Sequence, residues 1–155
     1  MRLFVILFFL IFFNANAQKT EKIVFNSANP FALSDIITDL ENQQEQEVFG
    51  KLTFPNDSVD KEEKYPLIIG VAGSLGWREH HYEYMRMYQE SGFATFELNS
   101  FKSRDISSTV GSQVEVTTAA IILDAYSAFA ELANHPNIDK NRVSITGWSL
   151  GGAVA

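Results

Sequence analysis

Cysteine is absent from the 155 residues. That excludes disulfides, a lipid-attachment cysteine and thiolate metal sites, and leaves apolar burial to hold any core. Basic clusters are also missing. Twelve Lys and Arg stand against nineteen Asp and Glu, for a formal net charge of −7. Binding to a phosphate backbone needs grouped Lys and Arg, so nucleic acid is not an expected partner. Histidines are few: His80, His81 and His135, with no H-x-x-x-H spacing. No metal or organic cofactor is therefore expected. Long hydrophobic runs are lacking too. A membrane span takes about 20 apolar residues, and the longest run here, Leu3 to Phe13, has eleven. There is no internal repeat and no low-complexity tract after residue 17.

What is present begins at the N-terminus. Met1-Arg2, the short apolar run and Asn14-Ala15-Asn16-Ala17 supply the basic start, apolar centre and A-x-A end of a secretory signal peptide. Residues 1–17 are read as that signal. The expected product is exported, periplasmic or secreted, with no stable membrane anchor after cleavage. An uncleaved anchor is the competing reading, and the short run argues against it. Hydrophobic residues make up 46% of the chain, with thirteen Phe, enough for the core of one domain.

Residues 18–47 are mixed and polar, an N-terminal extension in which Asp35 to Leu40 fits a short helix or a bent strand equally. Val48 to Phe54 has strand character. Pro55 to Ser58 is a turn cluster, and Asp60 to Lys64 a charged loop. Pro66 to Ala72 is a near-continuous apolar run of the kind that suits a strand buried on both faces. Arg78 to Glu90 reads as a helix ending at Ser91-Gly92. Phe93 to Leu98 reads as a strand and Asn99 to Ser112 as a loop. Val114 to Ala133 reads as a helix with Val116, Ala119, Ala120, Leu123, Tyr126, Ala130 and Leu132 on its apolar side. Arg142 to Gly147 is a further strand. Alternating strands and helices predict an α/β domain over residues 48–155, a mostly parallel sheet with flanking helices. Right-handed crossovers place the strand C-terminal ends, and hence a ligand site, along one edge.

Gly147-Trp148-Ser149-Leu150-Gly151-Gly152 sits at that edge. It has the G-x-S-x-G form of a nucleophile elbow between a strand and a helix. Glycines at the outer positions let the backbone turn sharply and lift the serine hydroxyl off the sheet. A serine there is a candidate acyl-transfer nucleophile, given a base to take its proton and donors for the oxyanion. One donor is the backbone N–H of Leu150. The positive end of the following helix also favours the anion. A second donor belongs in the loop after the first core strand, where Ala72-Gly73-Ser74 places the N–H of Ser74. An ordinary strand-ending glycine turn accounts for Gly73 equally well.

The chain from about Leu52 onward resembles the dienelactone hydrolase family of α/β-hydrolases. Leu67 to Ala72 with Gly73-Ser74, Gly92-Phe93-Ala94-Thr95, Asp124-Ala125, Ile138 to Val143 and the elbow carry the resemblance. Asn99-Ser100-Phe101-Lys102-Ser103-Arg104 is similar to the family's Asp-Ser-Phe-x-x-Arg-Gly segment, with Asn99 and Asp105 in place of Asp and Gly. Family members named for dienelactone cleavage use a cysteine where this chain has Ser149, and related hydrolases often carry His-Gly where it has Ala72-Gly73. The resemblance implies an incomplete α/β-hydrolase fold, cut just after the elbow. It also implies a serine hydrolase of a small-molecule carboxylic ester or lactone, without a cofactor. In this fold the triad runs Ser, acid, His, so the acid and base are expected after residue 155. His80, His81 and His135 all precede Ser149 and read as surface, packing and helix-stop residues. Asp124 reads as structural and Arg104 as a loop brace. Two rivals remain: a prolyl-oligopeptidase-like peptidase, which shares the Gly-Trp-Ser-x-Gly-Gly pattern, and a non-catalytic binding protein on the same fold.

Overall fold

A computed structural model describes residues 18–55, 59 and 62–155. The signal reading of residues 1–17, most of the turn at 55–58 and part of the charged stretch at 60–64 fall outside the described residues. The strands are β1 (Thr20–Ala28), β2 (Glu45–Thr53), β3 (Tyr65–Val71), β4 (Ala94–Leu98) and β5 (Ile138–Gly147), and the helices are α1 (Leu33–Thr38), α2 (Glu79–Glu90), α3 (Thr118–Leu132) and α4 (Leu150–Val154). Five strands form one sheet in the order β1-β2-β4-β3-β5. β1 pairs antiparallel with β2, and β2 with β4; β3 runs parallel to both β4 and β5.

The parallel part follows from sequence. Leu67, Ile69 and Val71 alternate with Ile68 and Gly70, and all are buried. Period-two side chains serve both faces. Leu67, Ile69 and Val71 join Phe96, Leu98, Ile121, Ala128 and Leu132 in the main core, under α3. A Cβ on Gly70 would meet Trp77 at 2.8 Å and Met85 at 2.9 Å, so that face lies under α2. The α2 side is partly polar: Gln89 Nε2 donates to Thr95 Oγ1 at 2.7 Å, both buried, and Lys51 pairs with Glu97 at 2.6 Å.

Three elements differ from the sequence reading. β1 lies in the extension and is an edge strand: its inward-turned apolar residues are Ile23, Phe25 and Ala28, too few to stand out. α1 resolves the ambiguity at 35–40 as helix, followed by a 3-10 turn at Leu40–Asn42. α3 begins at Thr118, because Thr117 caps it: Thr117 Oγ1 accepts from Ala120 N–H at 3.1 Å and donates to the Pro30 carbonyl at 2.6 Å.

The apolar side expected for Val114 to Ala133 holds in part: Val116, Ala119, Ala120 and Leu132 are buried. Tyr126 is 71% exposed, while Ile121, Asp124, Ala125, Ala128 and Leu132 are buried. The buried Asp124 is paired. Arg104 bonds Asp124 bidentately, at 2.7 and 3.0 Å, and donates to Ser100 O, Ala28 O and Asn29 Oδ1. All five guanidinium protons thus find acceptors. Ser27 Oγ adds a hydrogen bond to Asp124 at 2.6 Å. Arg104 is a brace joining β1, the 99–104 loop and α3, as its sequence context suggested.

Candidate active site

β5 delivers the chain to the C-terminal edge of the sheet, where it reverses into α4. Ser149 lies at the reversal with φ 54° and ψ −115°. A non-glycine residue in this sparsely populated region costs of order 1–3 kcal/mol and persists only where its surroundings hold it. As the sequence suggested, nothing larger than hydrogen fits at the outer glycines. Neither Gly147 nor Gly151 has positive φ; both permit close approach. A Cβ on Gly147 would strike the Gly151 carbonyl, and one on Gly151 would strike the Val71 carbonyl at the end of β3. Trp148 N–H donates to that same Val71 carbonyl at 3.2 Å. The elbow is thereby pinned to β3.

An N-cap serine normally accepts from the first-turn N–H groups through its hydroxyl. Here backbone carbonyls take them: Gly151 N–H donates to Trp148 O at 3.0 Å and Gly152 N–H to Ser149 O at 2.9 Å. Ser149 makes no side-chain cap hydrogen bond, and the residue is exposed. Among the described residues its Oγ has no partner. Leu150 N–H has no acceptor among them either.

Ser74 stands across from the elbow on the turn after β3. A Cβ on Gly73 would lie 3.0 Å from Trp148 O and 3.4 Å from Ser149 Cβ, so only a small residue lets this turn sit against the serine. Ser74 N–H, like that of Leu150, has no acceptor among the described residues. The structure thus sets the turn that begins at Gly73 against the elbow that carries Ser149. A cleft of about 570 Å³ opens on the side of this turn formed by Ala72, Leu75 and Gly76, and Phe101, Asp105 and Ile121 line it too; Ser149 is not among its lining residues. Arg78 and Lys102 stand at it.

None of the three histidines reaches Ser149 with a hydrogen bond. His135 Nε2 lies 3.2 Å from Glu21 and its Nδ1 accepts from Asn137 N–H. His80 is exposed. His81 is buried, and its Nδ1 accepts from Arg78 N–H at 3.1 Å, tying the first turn of α2. Its ring packs 4.7 Å from that of Trp148 and 5.7 Å from that of Trp77. Burial, followed by the charges of His80 and Arg78, holds its pKa below the usual histidine value. Sequence reading treated His81 as surface or packing and missed that it supports the residue before the candidate nucleophile. Its only signal was position, at the first turn of a helix following the oxyanion loop.

No family model matches the chain, and no curated protein does. Solved structures do. A dienelactone hydrolase-like promiscuous phosphotriesterase from metagenomic libraries superposes with TM-score 0.58 at 15% identity, over 87% of this chain and 52% of that one. A putative dipeptidyl aminopeptidase IV from Bacteroides ovatus gives 0.59 at 19% identity, over 91% and 19%. The Pyrococcus horikoshii acylaminoacyl peptidase gives 0.56 at 22%, over 88% and 20%. The fold is that of the α/β-hydrolases. It is present here in part: the chain spans about half the length of the first of these structures and about a fifth of the two peptidases.

Proposed function

We propose that the protein is a serine hydrolase of dienelactone hydrolase-like type, cleaving a carboxylic ester or lactone through Ser149. The observation that carries the reading is the state of Ser149 itself: positive φ, exposed, and with a hydroxyl that its helix does not use. In this reading Ser149 Oγ attacks the carbonyl carbon and passes its proton to a histidine base supplied from outside the described residues. The carbonyl oxygen becomes an oxyanion held by Leu150 N–H and Ser74 N–H. The alcohol leaves with the base's proton, and water then hydrolyses the acyl-enzyme by the same route. The small-molecule substrate enters by the cleft beside Ser74. Export under the direction of residues 1–17 belongs to the same proposal.

The peptidase-like neighbours favour a second reading, hydrolysis of a peptide at the same serine. Steady-state turnover of the full-length protein on p-nitrophenyl esters and on proline-containing peptide anilides separates the two. The proposal expects ester turnover that Ser149→Ala abolishes, and little anilide cleavage. Ester turnover unchanged in Ser149→Ala contradicts it.

A further inference from the structure

Ser74 sits in a four-residue turn with glycine at both ends. Gly76 N–H donates to Gly73 O at 2.8 Å, and Gly76 adopts φ 72°. That bond directs the Gly73 carbonyl into the turn. The N–H of Ser74, on the opposite side of the same planar trans peptide, therefore points away from it. The internal bond fixes the shape of the turn; its place against the elbow depends on the packing of Gly73 against Trp148 O and on what holds the Ser74 carbonyl.

The tether comes from the segment after the Lys102–Arg104 turn. Thr109 N–H donates to Ser74 O at 2.9 Å, and Ser108 Oγ donates to the same oxygen at 3.1 Å. Ser108 Oγ also accepts from Val110 N–H at 3.1 Å, which leaves its own proton directed at Ser74. Thr109 is buried, 2% exposed, so the anchor is embedded and not a surface contact. The Ser107 carbonyl lies 3.6 Å from where a Gly76 Cβ would be, so the same segment backs the far end of the turn.

We propose that Ser108, with the Thr109 N–H, is a positioning residue: it holds the Ser74 turn at the distance from Ser149 at which Ser74 N–H meets the oxyanion. The inference rests on the acyl-transfer reading of Ser149. A misplacement near 1 Å in such a site costs up to about a hundredfold in rate, and losing one oxyanion donor about 10²–10³. Removing one of two tethers should cost less, roughly tenfold.

The experiment is steady-state ester hydrolysis by full-length Ser108→Ala and Ser112→Ala, with Ser149→Ala as reference and phenylboronic acid inhibition as a second measurement. Ser112 lies on the same segment and its side chain makes no hydrogen bond to Ser74. The expected result is a kcat for Ser108→Ala lowered roughly tenfold with KM nearly unchanged, and boronate affinity lowered by the same factor; Ser112→Ala keeps the parent kcat. A Ser108→Ala enzyme with parent kcat, or one whose loss lies only in KM, overturns the inference while an inactive Ser149→Ala leaves the acyl-transfer reading intact. Turnover that survives Ser149→Ala overturns both.

Discussion

The hydroxyl of Ser149 is free because backbone carbonyls satisfy the first turn of α4 in its place. That arrangement depends on glycines that look alike in sequence and act differently. Gly147→Ala pushes a methyl into the Gly151 carbonyl. Overpacking against backbone is expected to cost about 3 kcal/mol or more, and the distorted elbow should lose ester turnover. Gly152 has 3.4 Å to its nearest obstacle. Gly152→Ala is expected to be tolerated, and stabilising by up to about 1 kcal/mol through helix propensity. Urea denaturation of the two variants should give shifts of opposite sign. Arg104 and Asp124 make a second residue-scale case. Their side chains are 5% and 0% exposed. Asp124→Ala leaves a buried guanidinium without its counter-charge, and a loss of about 3–5 kcal/mol is expected, read as a lower denaturation midpoint.

At the scale of elements, α2 explains what sequence could and could not convey. Its existence was legible from Arg78 to Glu90 and the Gly92 stop, where Gly92 takes φ 88°. Its buried stripe was not, because that stripe is His81, Met85 and Gln89, two of them polar. Hydrophobic periodicity cannot reveal a face whose burial is secured by hydrogen bonds, one accepted by His81 Nδ1 from Arg78 N–H and one donated by Gln89 Nε2 to Thr95. The same holds for α3, where Asp124 and not Tyr126 faces inward. His81 gives α2 a pH dependence. Burial holds its folded pKa below the ordinary histidine value, so the neutral ring is the folded form. The contribution is complete above the unfolded pKa and is lost as pH falls below about 6.5 toward the depressed folded value. Stability measured against pH should therefore fall more steeply on acidification in the parent protein than in His81→Phe. Fluorescence of Trp77 and Trp148, the protein's only tryptophans, reports the transition because both rings touch His81. Identical slopes in the two proteins would contradict this assignment.

For the whole molecule, the parallel strands, the elbow and the turn at Gly73 could be read from apolar runs and glycine spacing, and the turn at Gly73 packs against the elbow at one edge of the sheet. The antiparallel strand β1 could not, since its hydrogen bonds to β2 are backbone bonds that any sequence can make. Nor could the tether from Ser108, which links residues 34 apart through a carbonyl. β5 pairs with β3 alone among the described residues. Beside it Tyr126, Phe129 and Ile145 remain 71%, 39% and 39% exposed. The most direct test of the central claim is reaction of the full-length protein with a fluorophosphonate, followed by peptide mapping of the adduct. The account predicts stoichiometric modification at Ser149, with Ser149→Ala unlabelled. A protein that stays unmodified, or carries the adduct on another residue, contradicts it.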